Sequence, residues 1–411
     1  MRQSLPVVLE GPKQAGAGRP NVVFLILESV RADAVCIEHE GKCRKTPYTD
    51  AAAPNRFPFI QMRSLDSSTA ISLAVLWEGV GPEESREVLH TWPVVFDYAR
   101  AAGYDAAFWT SQNMMFGNAR LWVKNLAVSQ FVSATELDPE CDLDMGAPED
   151  KLAEHVNRHI GELKEPFVAV VQFSNMHYPY LVDRDGPMPF EPWTTSKAPE
   201  DNEAFYNYYL NGVHQQDRRV ASIVRHVRES NFGDRTVIVY TSDHGEAFRD
   251  HYQMGHTFSV LDEEVHVPAW IDPPKGLLSV DQERALTAKR TEFTFHPDLT
   301  ATVLDLIGVW GDPGIVKYRQ KMIGESLLSD TKNERAVPLT NCAGVWSCAF
   351  ENWGYMRGQM KLEARAWDPE WHCFDVALDP HETRNLGLAA CGDLGKLALV
   401  TFGRLPGGQK K

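Results

Sequence analysis

Four short stretches carry side chains that could do chemistry together. Glu28 directly follows the apolar run Val22–Leu27, VVFLIL. His177 follows the run Phe167–Phe173, FVAVVQF, within Ser-Asn-Met-His-Tyr-Pro. Ser242-Asp243-His244-Gly245-Glu246 follows Thr236–Thr241, TVIVYT. Carboxylate and imidazole together suit Zn²⁺ or Mn²⁺ better than an all-oxygen Ca²⁺ site. The fourth stretch, Ser67-Ser68-Thr69, opens an apolar helical run that ends at Trp77. Ser67 or Ser68 would cap that helix. Thr69 would then lie in its first turn, where the dipole and free N–H groups favour an anion. A hydroxyl bound there to a dication can lose its proton near neutral pH and attack phosphorus or sulfur. Each stretch also has a plainer reading: an Asp after a strand often caps a helix, and a lone His is often a bonded core residue. The shared place of the first three, just past a strand, argues for chemistry.

The elements that must position these groups are legible. The three apolar runs are continuous and rich in Val and Ile, as fully buried parallel strands are. Asp105–Thr110 and Val267–Ile271 are weaker strand candidates. Helical patterns occupy Pro93–Ala102, Asp150–Leu163, Glu203–Glu229 and Asp298–Ile307, the last stopped by Gly308. Strand and helix in alternation predict a doubly wound, mostly parallel α/β sheet. In such sheets ligands sit beyond the carboxyl ends of the strands. Beyond Leu328 the texture changes, and Asn341–Arg365 predicts a small antiparallel sheet packed on the main body.

The chain has 411 residues, 43% hydrophobic, and a formal net charge of −15. That charge argues against nucleic acid as a partner, since a phosphate backbone would be repelled. An anionic substrate must therefore meet a local positive centre, a metal ion or an arginine. The acidic run Glu136–Asp150 is expected to be a solvated loop without a role. No apolar stretch reaches the ~20 residues needed to span a bilayer. The short Leu5–Leu9 patch is too brief for a signal-peptide core, and Gly11–Pro20 has the composition of a flexible linker. Of seven cysteines, Cys36 and Cys43, and Cys342 and Cys348, bracket short loops, while Cys141, Cys373 and Cys391 are scattered. The close pairs could be disulfides in an oxidising compartment, and the odd count leaves at least one thiol free.

The motifs also resemble a known family. Arg19-Pro-Asn-Val-Val-Phe-Leu-Ile-Leu-Glu28-Ser29 looks like the opening strand and metal-ligand turn of sulfatases, and Thr241-Ser-Asp-His-Gly-Glu246 like their second metal motif. Gly324-Glu-Ser-Leu327 resembles a segment late in their catalytic domain. Phe374-Asp-Val376 with Asp379-Pro-His-Glu-Thr-Arg-Asn-Leu386 resembles their near-terminal signature. Sulfatases carry a Cys or Ser that becomes formylglycine; Thr69 stands at that position and cannot. Their usual Asp-Asp pair after the first strand is here Glu28-Ser29. Glu, Thr, Asp and His in this order instead resemble the lipoteichoic acid synthases and lipid A phosphoethanolamine transferases, whose Thr nucleophile is held by Mn²⁺ or Zn²⁺. The resemblance implies an alkaline-phosphatase-like fold, with a catalytic domain over 19–330, a C-terminal α+β subdomain over 331–405, and loose ends at 1–18 and 406–411. It implies a hydrolase or transferase of phosphate or sulfate esters with a small-molecule, lipid or glycan substrate. Glu28, Thr69, Asp243 and His244 would hold one divalent ion, Zn²⁺ or Mn²⁺ before Ca²⁺ or Mg²⁺, and a second ion is left open. Thr69 would be the nucleophile. His177 and His256, with His251 as rival to the latter, would bind the transferred group or protonate the leaving oxygen. Arg120, in a segment that loosely resembles a phosphate-binding stretch of the synthases, would clamp the anion. The family and the cysteine pairs together favour an extracytoplasmic location.

Overall fold

The computed structural model describes residues 3–11, 19–39, 41–115, 119–331, 334–341 and 351–408. Its central sheet is built from β1 (Asn21–Leu27), β2 (Phe57–Pro58), β3 (Asp105–Thr110), β4 (Gln130–Val132), β5 (Phe167–Gln172), β6 (Thr236–Ser242) and β7 (Ala269–Asp272). The spatial order is β2-β7-β6-β1-β5-β3-β4. β1 lies parallel to both β5 and β6, and β3 lies parallel to β5 and β4. β7 pairs antiparallel with β6 and with β2. It begins later than its apolar run suggests, after Pro268, which has no N–H to donate to a ladder.

β1 shows why these runs read as strands buried on both faces. Val22, Phe24 and Ile26 join one hydrophobic layer with Trp77 and Phe108. Val23, Leu25 and Leu27 join the opposite layer with Trp109 and Trp270. Helices supply both layers: α1 (Thr69–Glu78), α2 (Val95–Ala101), α3 (Glu149–His159), α4 (Asn202–Glu229) and α5 (His296–Leu306). α1 is apolar nearly all round and correspondingly buried. Its Trp77 stacks on Trp122 with ring centroids 4.9 Å apart and meets Phe108 edge-on. Gly79 stops the helix in the left-handed conformation, φ 74°, with its N–H on the Val75 carbonyl. Gly324 has a different reason to be glycine: a Cβ there would lie 1.9 Å from the Pro297 carbonyl oxygen. Ser326 and Leu327 of the same motif bond to Asp305 and Thr302 of α5, so this segment packs rather than reacts.

The expected C-terminal sheet forms from β8 (Val337–Thr340), β9 (Asn352–Arg357), β10 (Met360–Arg365) and β11 (His372–Asp375), all antiparallel. α6 (Leu394–Phe402) covers one face through Leu394 and Ala398. From β10, Lys361 reaches the main body and pairs with Asp262 and Glu382 at 2.9 Å each, while Arg63 holds Asp262 at 2.7 Å. Glu382 comes from the near-terminal signature and also accepts the Asp262 N–H, so that motif joins the C-terminal sheet to the main body. Among the described residues no helix is long and apolar enough to cross a membrane.

Two sequence expectations change. The acidic run is not uniformly solvated: Glu149 is buried at the start of α3 and accepts bonds from Asn175 N and Gln216 Nε2. Cys36 and Cys43 form a disulfide as expected, but Cys373, read as scattered, is bonded to Cys391. Cys141 is free, and the Cys342/Cys348 pair lies outside the described residues.

Candidate metal-binding active site

Register brings the first two groups together. Leu27 of β1 lies opposite Ser242 of β6, so Glu28 and Asp243 leave the sheet side by side. Asp243 N donates to the Leu27 carbonyl at 2.9 Å. Ser29 N and His244 N both donate to Asp243 Oδ1, at 3.1 and 2.7 Å, with Ser29 in the left-handed region, φ 56°. His244 Nδ1 faces the Gly245 carbonyl at 2.8 Å, which assigns the proton to that nitrogen and turns Nε2 inward. Nε2 then lies 3.3 Å from Glu28 Oε1 and 3.5 Å from Asp243 Oδ2.

Thr69 enters from α1. It is the first residue of that helix, and its Oγ1 lies 2.9 Å from Glu28 Oε1 and 3.1 Å from His244 Nε2. The expected serine cap is corrected here. Ser68 occupies the N-cap position without a side-chain cap bond, and Ser67 Oγ donates instead to the Ser259 carbonyl at 2.9 Å. The Ser67 hydroxyl therefore sets the loop and not the helix end. Ser72, one turn on, donates to the Asp243 backbone carbonyl.

Glu28, Asp243 and His244 are fully buried, and Thr69 nearly so. Burial would raise Glu28, but the bond and charge of His244 outweigh it and draw the carboxyl well down. Burial and the neighbouring Glu28 charge push Asp243 up to about 7. Burial opposes charge on His244, yet Asp243 and Glu28 raise it to about 10. Glu28 Oε2 and Asp243 Oδ2 are buried without a hydrogen-bond partner. Buried carboxylate oxygens are costly in that state. Two of them beside an imidazole and a hydroxyl fit a divalent cation.

His177 and His256 are half-buried and edge this cluster. The His256 ring lies 4.4 Å from that of His244 and 5.3 Å from that of His177. Single ligand atoms of Glu28, His244 and His256 lie within 4.8 Å of one another, so His256 stands as near as a further metal ligand would. His256 Nδ1 is held by Glu246 Oε2 at 2.7 Å, and Tyr180 OH donates to Glu246 Oε1 at 2.9 Å. His251 turns away, with Nδ1 on Glu263 at 2.7 Å. Arg120 is exposed, its guanidinium near Met115 Sδ. Among the described residues no hydrogen bond or ion pair joins it to the Thr69 cluster, and Phe116–Asn118 of its motif lie outside them.

Sequence reasoning missed four supporting groups. Glu246 stood inside a quoted motif, unassigned. Tyr180 follows His177 closely enough to have been a candidate. Asp66, just before the serines, accepts Ser68 N at 2.7 Å and the Thr340 hydroxyl, and burial raises it to about 8. His296 sits behind Ser72, lowered by burial to about 3; nothing in the sequence marked it.

A model of the sulfatase family matches residues 20–309, well over half of the chain. The ulvan-active sulfatase of Formosa agariphila is 22% identical over 409 residues, covering 90% of this chain and 77% of that protein. Arylsulfatase K of Mus musculus is 26% identical over 189 residues, covering 44% of this chain and 32% of that protein, so the match spans about a third of that relative's length. Among solved structures, a protein in the alkaline phosphatase superfamily from Vibrio parahaemolyticus aligns with a TM-score of 0.69 at 18% identity, over 97% of this chain and 89% of that one. The soluble domain of lipooligosaccharide phosphoethanolamine transferase A from Neisseria meningitidis aligns with a TM-score of 0.61 at 18% identity, over 78% of this chain and 96% of that one. Identities this low speak to the fold, and the family match carries the assignment: the chain belongs to the sulfatase family of enzymes.

Proposed function

We propose that the protein cleaves or transfers phosphate esters through a covalent intermediate on Thr69. One observation carries this reading: Thr69 Oγ1 lies within hydrogen-bond reach of Glu28 and His244, beside two buried carboxylate oxygens that lack partners. Glu28, Asp243, His244 and Thr69 would hold one Zn²⁺ or Mn²⁺. When bound, such an ion lowers the pKa of a hydroxyl and offsets charge developing on the transferred group.

The chain's own residues then divide the work. Glu28 Oε1 is the nearest acceptor for the Thr69 proton. Thr69 Oγ1 attacks phosphorus, forming one P–O bond while the bond to the leaving oxygen breaks. That oxygen takes a proton from His256 or His177, the two rings at the edge of the cluster. Water or an alcohol attacks in turn and gives its proton back to the same histidine, while the bond from phosphorus to Thr69 Oγ1 breaks and that oxygen takes its proton back from Glu28. His177 also binds the transferred group. The substrate is a small-molecule, lipid or glycan ester, and the two disulfides among the described residues suit an extracytoplasmic setting.

Trapping with a slow phosphodiester, followed by peptide mapping, should place the added mass on Thr69. An adduct on Ser67, Ser68 or Ser72, or normal turnover with no adduct, would refute the mechanism. The family match itself favours a second reading, an unmodified-hydroxyl sulfatase, which faster turnover of aryl sulfates than of phosphate esters would establish.

A further inference from the structure

The loop that carries His256 is not held by the main body alone. Its next two carbonyls, those of Thr257 and Phe258, accept bonds from Asn341 Nδ2, at 2.6 Å, and Asn352 Nδ2. Both asparagines belong to the C-terminal sheet, directly after β8 and at the start of β9, and both are fully buried. Each fixes the other: Asn352 N donates to Asn341 Oδ1 at 2.8 Å, and Asn341 N donates to the Asn352 carbonyl at 3.1 Å. Asn352 Oδ1 in turn accepts Ala366 N at 3.2 Å, so each amide oxygen is used by an N–H and each NH₂ faces a carbonyl, which sets both amide orientations.

The same sheet edge grips the nucleophile's side. Thr340 N donates to the Leu65 carbonyl at 2.9 Å, and the Thr340 hydroxyl donates to Asp66, which receives Ser68 N. The two catalytic loops are also joined directly, Ser67 Oγ to the Ser259 carbonyl. Thr257 has φ 71°, a strained backbone for a β-branched residue that persists only where its surroundings hold it.

We infer that Asn341 and Asn352 are positioning residues for His256, so that the C-terminal sheet sets the angle from which the leaving oxygen is protonated. This rests on the proposed roles of Thr69 and His256. A proton donor matters most when the leaving group is poor, and contributes about 10²–10⁴-fold at full effect. Losing the clamp therefore acts selectively. It slows esters of alkyl alcohols and spares nitrophenyl esters, whose leaving oxygen needs little proton donation.

The test replaces Asn352 with Asp, which keeps the shape and removes the donor. Purified protein is assayed with an alkyl and a nitrophenyl phosphodiester, alongside Thr69→Ala. The expected result is a drop in kcat/KM, which reports the first cleavage and not the shared second step, of about tenfold or more on the alkyl ester and less than about threefold on the nitrophenyl ester. Equal losses on both esters, or no loss on either, would overturn the inference. Should Asn352→Asp not fold, Asn341→Ser, which shortens one clamp and keeps a hydroxyl donor, carries the same comparison. Thr69→Ala with full activity would instead bring down the proposed reaction, so the two failures are separable.

Discussion

Removing the Thr69 hydroxyl separates a nucleophile from a mere hydrogen-bonding partner by magnitude. In the structure Oγ1 makes two contacts, to Glu28 at 2.9 Å and His244 at 3.1 Å. If these were all it did, losing both would cost about 1–2 kcal/mol, which as a rate is about 5- to 30-fold. Losing a covalent nucleophile removes the whole two-step path, and losses of about 10³-fold or more are expected. Thr69→Ala should therefore fall far outside the hydrogen-bond range. Thr69→Ser keeps a hydroxyl that can attack, and should retain a measurable part of kcat/KM. Ser68→Ala is an informative control, because the Ser68 side chain makes no cap bond. It should change stability by less than about 0.5 kcal/mol. The assay is kcat/KM on a phosphodiester, with metal content measured on the same preparations because Thr69 is also a proposed ligand. A Thr69→Ala enzyme that keeps its metal and stays within about thirtyfold of wild type would refute the reasoning.

Other outcomes follow from the same geometry. Asp243→Ala should lose most bound Zn²⁺ or Mn²⁺ by elemental analysis, since it removes a buried carboxylate oxygen that has no hydrogen-bond partner; full occupancy in that variant would exclude the site. His256→Ala should nearly abolish turnover of alkyl esters while His251→Ala stays active, since His251 faces Glu263 and not Thr69; the opposite ranking would reverse the assignment. Lys361→Met leaves Glu382 buried beside Asp262 without its counter-charge, and urea unfolding should show a loss of about 3 kcal/mol. His251 is raised to about 9 by its bond to Glu263, against burial, from an ordinary 6.5. A raised pKa means its stabilisation is complete below that ordinary value and is lost as pH rises through about 9. Tm should accordingly decline between those limits, and His251→Phe should flatten the decline.

The cluster was legible because Glu28, Asp243 and His244 sit one to three residues past long apolar runs, and the direction of a parallel strand sends all such positions to one edge. Glu28, Asp243 and His244 needed only that rule. Thr69 needed a helix start as well, and here local reasoning erred in detail. Serines before a helix usually cap it, but Ser67 was recruited by the Ser259 carbonyl from far along the chain. The remaining misses share that tertiary character. Glu149 is acidic amid acidic neighbours, and only Asn175 and Gln216 make its burial tolerable. Cys373 and Cys391, separated by 18 residues, meet because β11 and the turn before α6 face one another. β2, with two residues, is too short to leave a period. Asn341 and Asn352 look like ordinary turn residues until the C-terminal sheet folds back over the His256 loop.

Electrostatics explains why these groups are assembled on a sheet edge and not on a flexible loop. Glu28 and Asp243 are two buried acids flanking one imidazole, and they respond in opposite directions: Glu28 is drawn down by His244, Asp243 pushed up by burial and by Glu28. Two carboxylates so close cannot both ionise comfortably without added positive charge. A loop would relieve the conflict by moving one acid into water. Here that escape is closed, because Glu28 continues β1, Asp243 Oδ1 is fixed by two backbone N–H groups, and Ser72 holds the Asp243 carbonyl from α1. The rigid sheet therefore holds an unfavourable arrangement of charge that the proposed cation would relieve, and the first turn of α1 presents Thr69 beside it. Fold and chemistry meet in that constraint: the backbone bonds that order the strand ends leave one oxygen each of Glu28 and Asp243 without a hydrogen-bond partner, as the proposed metal site requires.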